Sequence, residues 1–83
     1  MFASVICQKI DNRKCVMIAE KGEEKLEIEL KLPFFKTKKN IWIILHEIRK
    51  RFNKEGFELN GPQISSALSM EYPNIPHVYY HSK

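Results

Sequence analysis

The chain has 83 residues, of which 43% are hydrophobic and 11% aromatic, and its formal net charge is +4. This length and composition predict one folded domain, residues 1–83, with one small core, and exclude a disordered chain. The apolar runs are too short for a signal peptide or a membrane span, so we expect a protein of the reducing cytoplasm with no membrane partner.

The first third of the chain predicts a three-stranded antiparallel meander. Residues 2–10 are rich in strand-forming side chains and end at the polar turn cluster 11–14. A second short run covers residues 15–19. Between residues 26 and 32, apolar and charged residues alternate, which is typical of a strand with one buried and one exposed face. The next residues, Phe34-Phe35, are expected to fold back over the sheet.

A turn signal at Lys21-Gly22 sets the predicted pairing of the second and third strands. With a two-residue turn there, Met17 pairs with Leu26 and Cys15 with Ile28 on the buried face. The register of the first strand stays open, because both of its faces contain apolar residues.

Cys7 and Cys15 are the two cysteines of the chain, and both lie inside strand-like runs. Two cysteines do not make the dense disulfide framework of small secreted domains. We therefore predict reduced, buried thiols that pack as small hydrophobic side chains.

Residues 36–54 predict one amphipathic helix. Its apolar residues recur at three- and four-residue steps and form one buried stripe. Thr37 or Asn40 is the expected N-cap, and Gly56 marks the end of the helix. The stripe consists of Ile41, Ile44, Leu45, Ile48 and Phe52.

This helix also concentrates positive charge. It carries seven of the fourteen basic residues and a single acid, Glu47. A positive helix on a small fold predicts a polyanionic partner, most simply nucleic acid, whose phosphates the basic side chains would contact. The alternative is a solvated helix face whose last-turn cations complement the helix dipole. The candidate contact residues are Lys36, Lys38, Lys39, Arg49, Lys50, Arg51 and Lys54.

The last third of the chain predicts one or two short helices. Residues 60–62, Asn-Gly-Pro, are a helix-start signal, and residues 63–70 can form a helix that ends at Tyr72-Pro73. After it, Asn74 can cap a last short helix, or residues 78–81 can form an extended strand.

The hydrophobic spacing of residues 64–78 resembles the helix-turn-helix pattern of DNA-binding proteins. That pattern has apolar residues at five fixed positions, with small residues after the first and second of them. Here the five are Ile64, Leu68, Met70, Ile75 and Val78, and the small residues are Ser65 and Ser69. The resemblance implies two short helices at a fixed angle, with the second in the major groove.

Two prolines depart from that pattern, because Pro73 and Pro76 fall where its recognition helix would lie. A winged-helix-like variant with a longer turn would start this helix at Pro76. The residues then directed toward DNA are His77, Tyr80, His81 and Lys83. The alternative is two core-packing turns without contact to the groove.

The order of three strands followed by a basic helix is also similar to the three-stranded DNA-binding domains of phage integrases and of certain plant transcription factors. Residues 32–39, where a strand leads through Phe-Phe-Lys-Thr-Lys-Lys into the helix, carry this similarity. It implies a sheet that enters the major groove. Glu27 and Glu29 on the exposed face of the third strand oppose that mode, because they repel phosphate.

Catalytic and metal-binding patterns are missing from the sequence. The glycines at 22, 56 and 61 form no phosphate loop, and Ser65-Ser66 has no neighbouring base. His77 and His81 have the four-residue spacing of helical metal ligands, but no cysteine or acid nearby completes a set. We therefore predict a non-enzymatic protein without a metal or cofactor.

These patterns together predict an α+β fold: a three-stranded antiparallel meander packed by one amphipathic basic helix, with one or two short, helix-turn-helix-like C-terminal helices. The leading function is binding of nucleic acid, with duplex DNA favoured, by a transcription regulator or accessory factor. The alternative is a protein-binding adaptor or inhibitor that uses the tyrosine-rich tail or an open sheet edge. Abundant Ile, Lys and Asn are typical of AT-rich viral or microbial genomes.

A homodimer is the expected oligomeric state. The first strand, residues 2–10, lies at the edge of the predicted sheet, and Lys9 is its only charged residue that would disfavour pairing with the edge strand of another subunit. Dimers are also common among helix-turn-helix proteins, since two subunits contact two half-sites.

Overall fold

Three strands and two helices follow one another in the described part of the chain. They are β1 (Ser4–Lys9), β2 (Lys14–Lys21), β3 (Glu24–Lys31), α1 (Lys38–Lys54) and α2 (Gly61–Glu71). The computed structural model describes residues 3–76 and 78. The strands form one antiparallel sheet in the order β1-β2-β3, and the helices pack against it, so the predicted α+β fold is confirmed.

β2 is the central strand, and its pairing with β1 defines the two faces of the sheet. Cys7 lies opposite Met17 on the inner face, which is covered by the helices. Ile6 lies opposite Ile18 on the outer face. The register that the sequence left open is therefore the one that places the odd-numbered residues of β1 on the inner face, where Val5 and Cys7 are half-buried.

The register between β2 and β3 differs by two residues from the predicted one. The observed pairs are Met17 with Ile28 and Cys15 with Leu30. The hairpin turn consists of Gly22-Glu23 instead of Lys21-Gly22, and Gly22 has a φ of 62°. Glycine with positive φ at the first central position suits a two-residue hairpin, because that turn matches the twist of the strands. A shift of two residues keeps every side chain on its predicted face.

α1 begins at Lys38, two residues after the predicted start, and packs its apolar stripe into the core. Thr37 is the N-cap, and its hydroxyl accepts a hydrogen bond of 3.1 Å from the Asn40 backbone N–H. The buried residues of the helix are Ile41, Leu45, Ile48 and Phe52, while Ile44 is partly buried against the same core. In the part of the chain that the structure describes, neither helix is long and apolar enough to cross a membrane.

α2 lies along the outer edge of β1. A capping box of Asn60 and Gln63 starts this helix. The Gln63 side-chain amide donates to the Ala3 carbonyl at 3.2 Å, and the Lys9 backbone N–H donates to the Glu71 carboxylate at 3.2 Å. α2 thus covers part of the β1 edge that the homodimer prediction treats as open, and the oligomeric state stays a prediction.

The predicted helix-turn-helix turn is absent at its expected position. α2 continues through Ser69 to Glu71, and Met70 is 80% exposed instead of packed between two helices. The helix ends at Tyr72 because Pro73 disfavours the helical conformation of the residue before it. A recognition helix beginning at Pro76 would lie mostly outside the described residues.

Tyr72 joins the end of α2 to the β1–β2 loop. Its side chain is buried, and its hydroxyl lies 2.7 Å from the Asp11 carbonyl and 2.9 Å from the Lys14 carbonyl, within donating distance of both. Burial raises the pKa of this hydroxyl above its ordinary value. The hydroxyl therefore keeps its proton, and its hydrogen bonding, throughout the neutral pH range.

We expect Tyr72→Phe to lower the free energy of unfolding by about 0.5–1.5 kcal/mol, because it removes the donor to the Asp11 carbonyl, while the Lys14 carbonyl still accepts from the backbone N–H groups of Ile10 and Asp11. Urea denaturation of both proteins measures the difference. Since the folded-state pKa is raised, this difference should stay constant from neutral pH to about 10, the unfolded tyrosine value, and shrink above it. A difference that disappears below pH 9 would contradict the assignment of these hydrogen bonds.

Candidate nucleic-acid interface

The face of α1 opposite its buried stripe is lined by three lysines. Successive helical residues are about 100° apart, so Lys39, Lys50 and Lys54 point away from the core in one row, with Ile43 among them. All four side chains are exposed in the structure. We call this row of Lys39, Ile43, Lys50 and Lys54 the outer face of α1.

The cations of α1 make no ion pair with a described acid, although Glu47 lies one turn before Lys50 and Arg51 on the same helix. The ion pairs found in the described residues involve Lys14, Lys21 and Lys25, and none includes a cation of α1. The helix holds one acid, Glu47, which is exposed. An excess of positive charge on one helix creates a positive potential that attracts polyanions.

The predicted cluster Arg49-Lys50-Arg51 does not act as one group. Lys50 lies on the outer face of α1, while Arg49 is half-buried on one flank of the helix. Arg51 is on the other flank, where it lines a cavity of about 340 Å³ beside Glu27 on β3. The two arginines therefore face in nearly opposite directions.

The other predicted contact residues are also separated. Lys38 is exposed in the first turn of α1. Lys36 is half-buried and lines a cavity of about 310 Å³ with Glu71 and Tyr72, beside α2. His77, Tyr80 and His81 lie outside the described residues.

Trp42 is a feature of this surface that the sequence reading missed. It is 45% exposed and stacks on His46, with ring centres 4.9 Å apart and ring planes 6° from parallel. The two residues lie one turn apart on the flank next to the outer face of α1. The sequence does indicate this exposure, because Trp42 falls outside the three- and four-residue spacing of the buried stripe.

Phe34 and Phe35 form a second exposed aromatic group, at the N-terminal end of α1. Both are 70% exposed, so the expectation that they fold back over the sheet is wrong. Their rings meet edge to face at 5.0 Å, and the Arg13 guanidinium lies 5.4 Å from the Phe34 ring centre. The Asn40 side-chain amide donates to the Phe35 carbonyl at 2.8 Å, which ties this loop to the first turn of the helix.

Acidic residues border the positive surface. Glu23, Glu24 and Glu58 lie around a cavity of about 680 Å³ at the β2–β3 turn. On the outer face of the sheet, Glu27 and Glu29 are exposed and pair with lysines of that face. These acids repel phosphate, so they count against the sheet-entry mode that the similarity to integrase domains implies.

The two cysteines are free thiols on the inner face of the sheet. The neighbouring Cys15 thiol, together with burial, raises the pKa of Cys7. The Cys7 thiol in turn lowers the pKa of Cys15, while burial opposes that effect. In the described part of the chain, no three His, Cys, Asp or Glu side chains are grouped so that they could hold a metal ion.

We expect both thiols to react with a thiol probe much more slowly in the folded protein than in urea, because Cys15 is fully buried and Cys7 holds its proton. Mass spectrometry of the probe adducts over time measures the two rates. A Cys7–Cys15 disulfide in protein taken from a reducing cytoplasm would contradict this expectation.

In comparisons with known proteins, no family model, no curated protein and no solved structure matches this chain.

Proposed function

We propose that this is a small non-enzymatic nucleic-acid-binding protein, a regulator or accessory factor, whose contact surface is the outer face of α1. The observation that carries the proposal is the set of cations on α1, which have no ion pair with any described acid. Lysine and arginine side chains that are not paired with an acid can contact phosphates, and this contact releases condensed counterions from the nucleic acid.

The length of the surface suits a short stretch of backbone. From Lys39 to Lys54 the helix rises about 1.5 Å per residue, so the row of lysines spans roughly 22 Å. Acids near both the β2–β3 turn and the end of α1 limit the contact to this row. The site therefore accommodates a few phosphates, and we expect modest affinity that depends strongly on salt.

Fluorescence anisotropy with labelled oligonucleotides of random sequence tests this function. Three contacts predict a slope of log affinity against log salt of about −2 for a single strand and about −3 for a duplex. No binding of either form at low salt, or an affinity that does not change with salt, would overturn the proposal.

A protein-binding role is the second candidate, and the outer face of the sheet favours it. Ile6 is 59% exposed there, next to the buried Ile18, and no described element covers this face. A partner protein or a second copy of the chain could bury the exposed Ile6 side chain. We propose Ile6→Lys as the test: it should abolish partner capture or dimerisation, measured by sedimentation against the 9.8 kDa monomer, and leave oligonucleotide binding unchanged. An unchanged dimer or complex would exclude this face.

A further inference from the structure

We propose that Trp42 is a stacking platform for an unpaired base, so that α1 binds single-stranded nucleic acid in preference to duplex. This inference rests on the proposed function and specifies the form of its ligand. It also differs from the preference for duplex DNA that the sequence suggested through the helix-turn-helix spacing.

The exposure of Trp42 is the first observation. A tryptophan carries a large apolar surface and is normally buried in a small domain. Here the core is filled by the stripe of α1, and Trp42 lies beside that stripe with nearly half of its surface in solvent. Such a residue gains free energy when a flat apolar group covers it.

The fixed orientation of the indole ring is the second observation. His46 lies parallel to Trp42 at 4.9 Å, so the imidazole supports one face of the indole. A ring that is already held in place loses little conformational entropy when a ligand binds. A base on the other face would extend this stack from two rings to three.

The charge around Trp42 indicates which kind of flat ligand is also attracted to this surface. Lys38 and Lys39 lie one turn before Trp42, and Arg49 and Lys50 lie one turn after His46. Lys39 and Lys50 are separated by about 16 Å along the helix axis, which places a cation on each side of the stack. Aromatic side chains between cations that follow a phosphate backbone are typical of single-strand binding.

Duplex offers no partner for this ring. Its bases are paired and stacked on one another, so the indole could contact only the backbone and would stay in water. The turn that would support major-groove binding by the helix-turn-helix pattern is absent at Ser69. The unpaired cations disfavour a neutral apolar partner, because a protein surface there would have to bury or neutralise them.

The chain has a single tryptophan, so its indole fluorescence reports on Trp42 alone. We would titrate the wild-type protein at low salt with an unlabelled single strand, the matching duplex, and an abasic single strand that has the same phosphates. Anisotropy of labelled versions measures affinity independently. We expect the normal single strand to quench Trp42, the abasic strand to bind without quenching, and the duplex to bind more weakly than the single strand.

Trp42→Ala should weaken single-strand binding by about 5- to 150-fold, the range for loss of one stacked base, and leave duplex binding unchanged. Trp42→Tyr should retain part of the affinity, because it keeps an aromatic ring. Met70→Ala is the matched control, since it truncates an exposed apolar side chain on α2. Circular dichroism confirms that each variant is folded.

Three results would overturn the inference alone: equal affinity of the normal and abasic strands, unchanged single-strand binding by Trp42→Ala, or tighter binding of duplex. Each of these leaves the proposed function in place, because binding is still observed. The absence of binding to all three ligands at low salt would overturn both the inference and the proposed function.

Discussion

We expect the triple variant Lys39→Glu, Lys50→Glu, Lys54→Glu to lose measurable affinity for nucleic acid at about 0.15 M salt while remaining folded. The three lysines are exposed on the outer face of α1 and make no ion pair with a described residue. Their reversal removes three phosphate contacts and adds three repulsive charges. Exposed charges contribute little to stability, so the fold should survive.

Neutral variants give the quantitative version of this prediction. Lys39→Gln, Lys50→Gln, Lys54→Gln should flatten the salt dependence by about 2 in slope for a single strand, which is the contribution of three contacts. The matched control is Lys14→Gln, Lys25→Gln, Lys31→Gln on β2 and β3, which removes the same net charge far from α1. If both triples reduce affinity equally, the attraction comes from net charge and α1 is not the contact surface.

The contributions of charge and of stacking to the binding affinity should differ in their dependence on salt concentration. The lysine contribution arises from counterion release and weakens as salt rises. Stacking on Trp42 has no such term, so the ratio of wild-type to Trp42→Ala affinity should stay nearly constant over the same range. If both contributions fall together with salt, the role of Trp42 would be only to position the neighbouring cations.

Strong local patterns were sufficient to predict most of the secondary structure. The alternation from Leu26 to Leu32 predicts β3, and the stripe from Ile41 to Phe52 predicts α1. Of the two expected N-caps, Thr37 and Asn40, the structure has Thr37. Both patterns repeat over many residues and agree with the local capping signal, so a competing structure would have to bury charged side chains.

The sequence-based predictions were wrong where a single residue or a single long-range contact determines the structure. Moving the turn to Gly22-Glu23 changed the strand pairing by two residues, which the alternating pattern cannot detect because both registers keep the same faces. The partial coverage of the β1 edge by α2 depends on hydrogen bonds between residues about 60 positions apart, such as Gln63 with Ala3. Phe34-Phe35 stayed exposed because Leu32 and the stripe of α1 already fill the core.

The candidate site was predicted in part. The sequence identified the lysines of α1 but treated Arg49-Lys50-Arg51 as one group, whereas a helix distributes three consecutive residues around its axis. Trp42 was missed because it carries no charge, so the charge distribution along the helix does not identify it. An aromatic residue outside the buried stripe does not pack in the core, and it is therefore a candidate for contact with a ligand.

Phe52→Ala should have the largest effect on stability, lowering the free energy of unfolding by about 3–5 kcal/mol. Phe52 is fully buried near the C-terminal end of α1 and meets Phe57 edge to face, with ring centres 6.4 Å apart. Truncation loses the transfer of the ring from water and leaves a cavity between α1 and the sheet. Since a domain of this size has a total stability of about 5–15 kcal/mol, the variant should be partly unfolded at moderate temperature.

Phe35→Ala is the matched control, because it makes the same chemical change at a side chain that is 70% exposed. It should shift the stability by no more than about 0.5 kcal/mol. Urea denaturation measures both variants, and an unchanged slope against denaturant shows that the midpoint reports stability alone. Comparable losses of stability for the two variants would mean that the stripe of α1 is not the centre of the core. The assignment of Lys39, Lys50 and Lys54 to the solvent-facing side of the helix would then also be wrong.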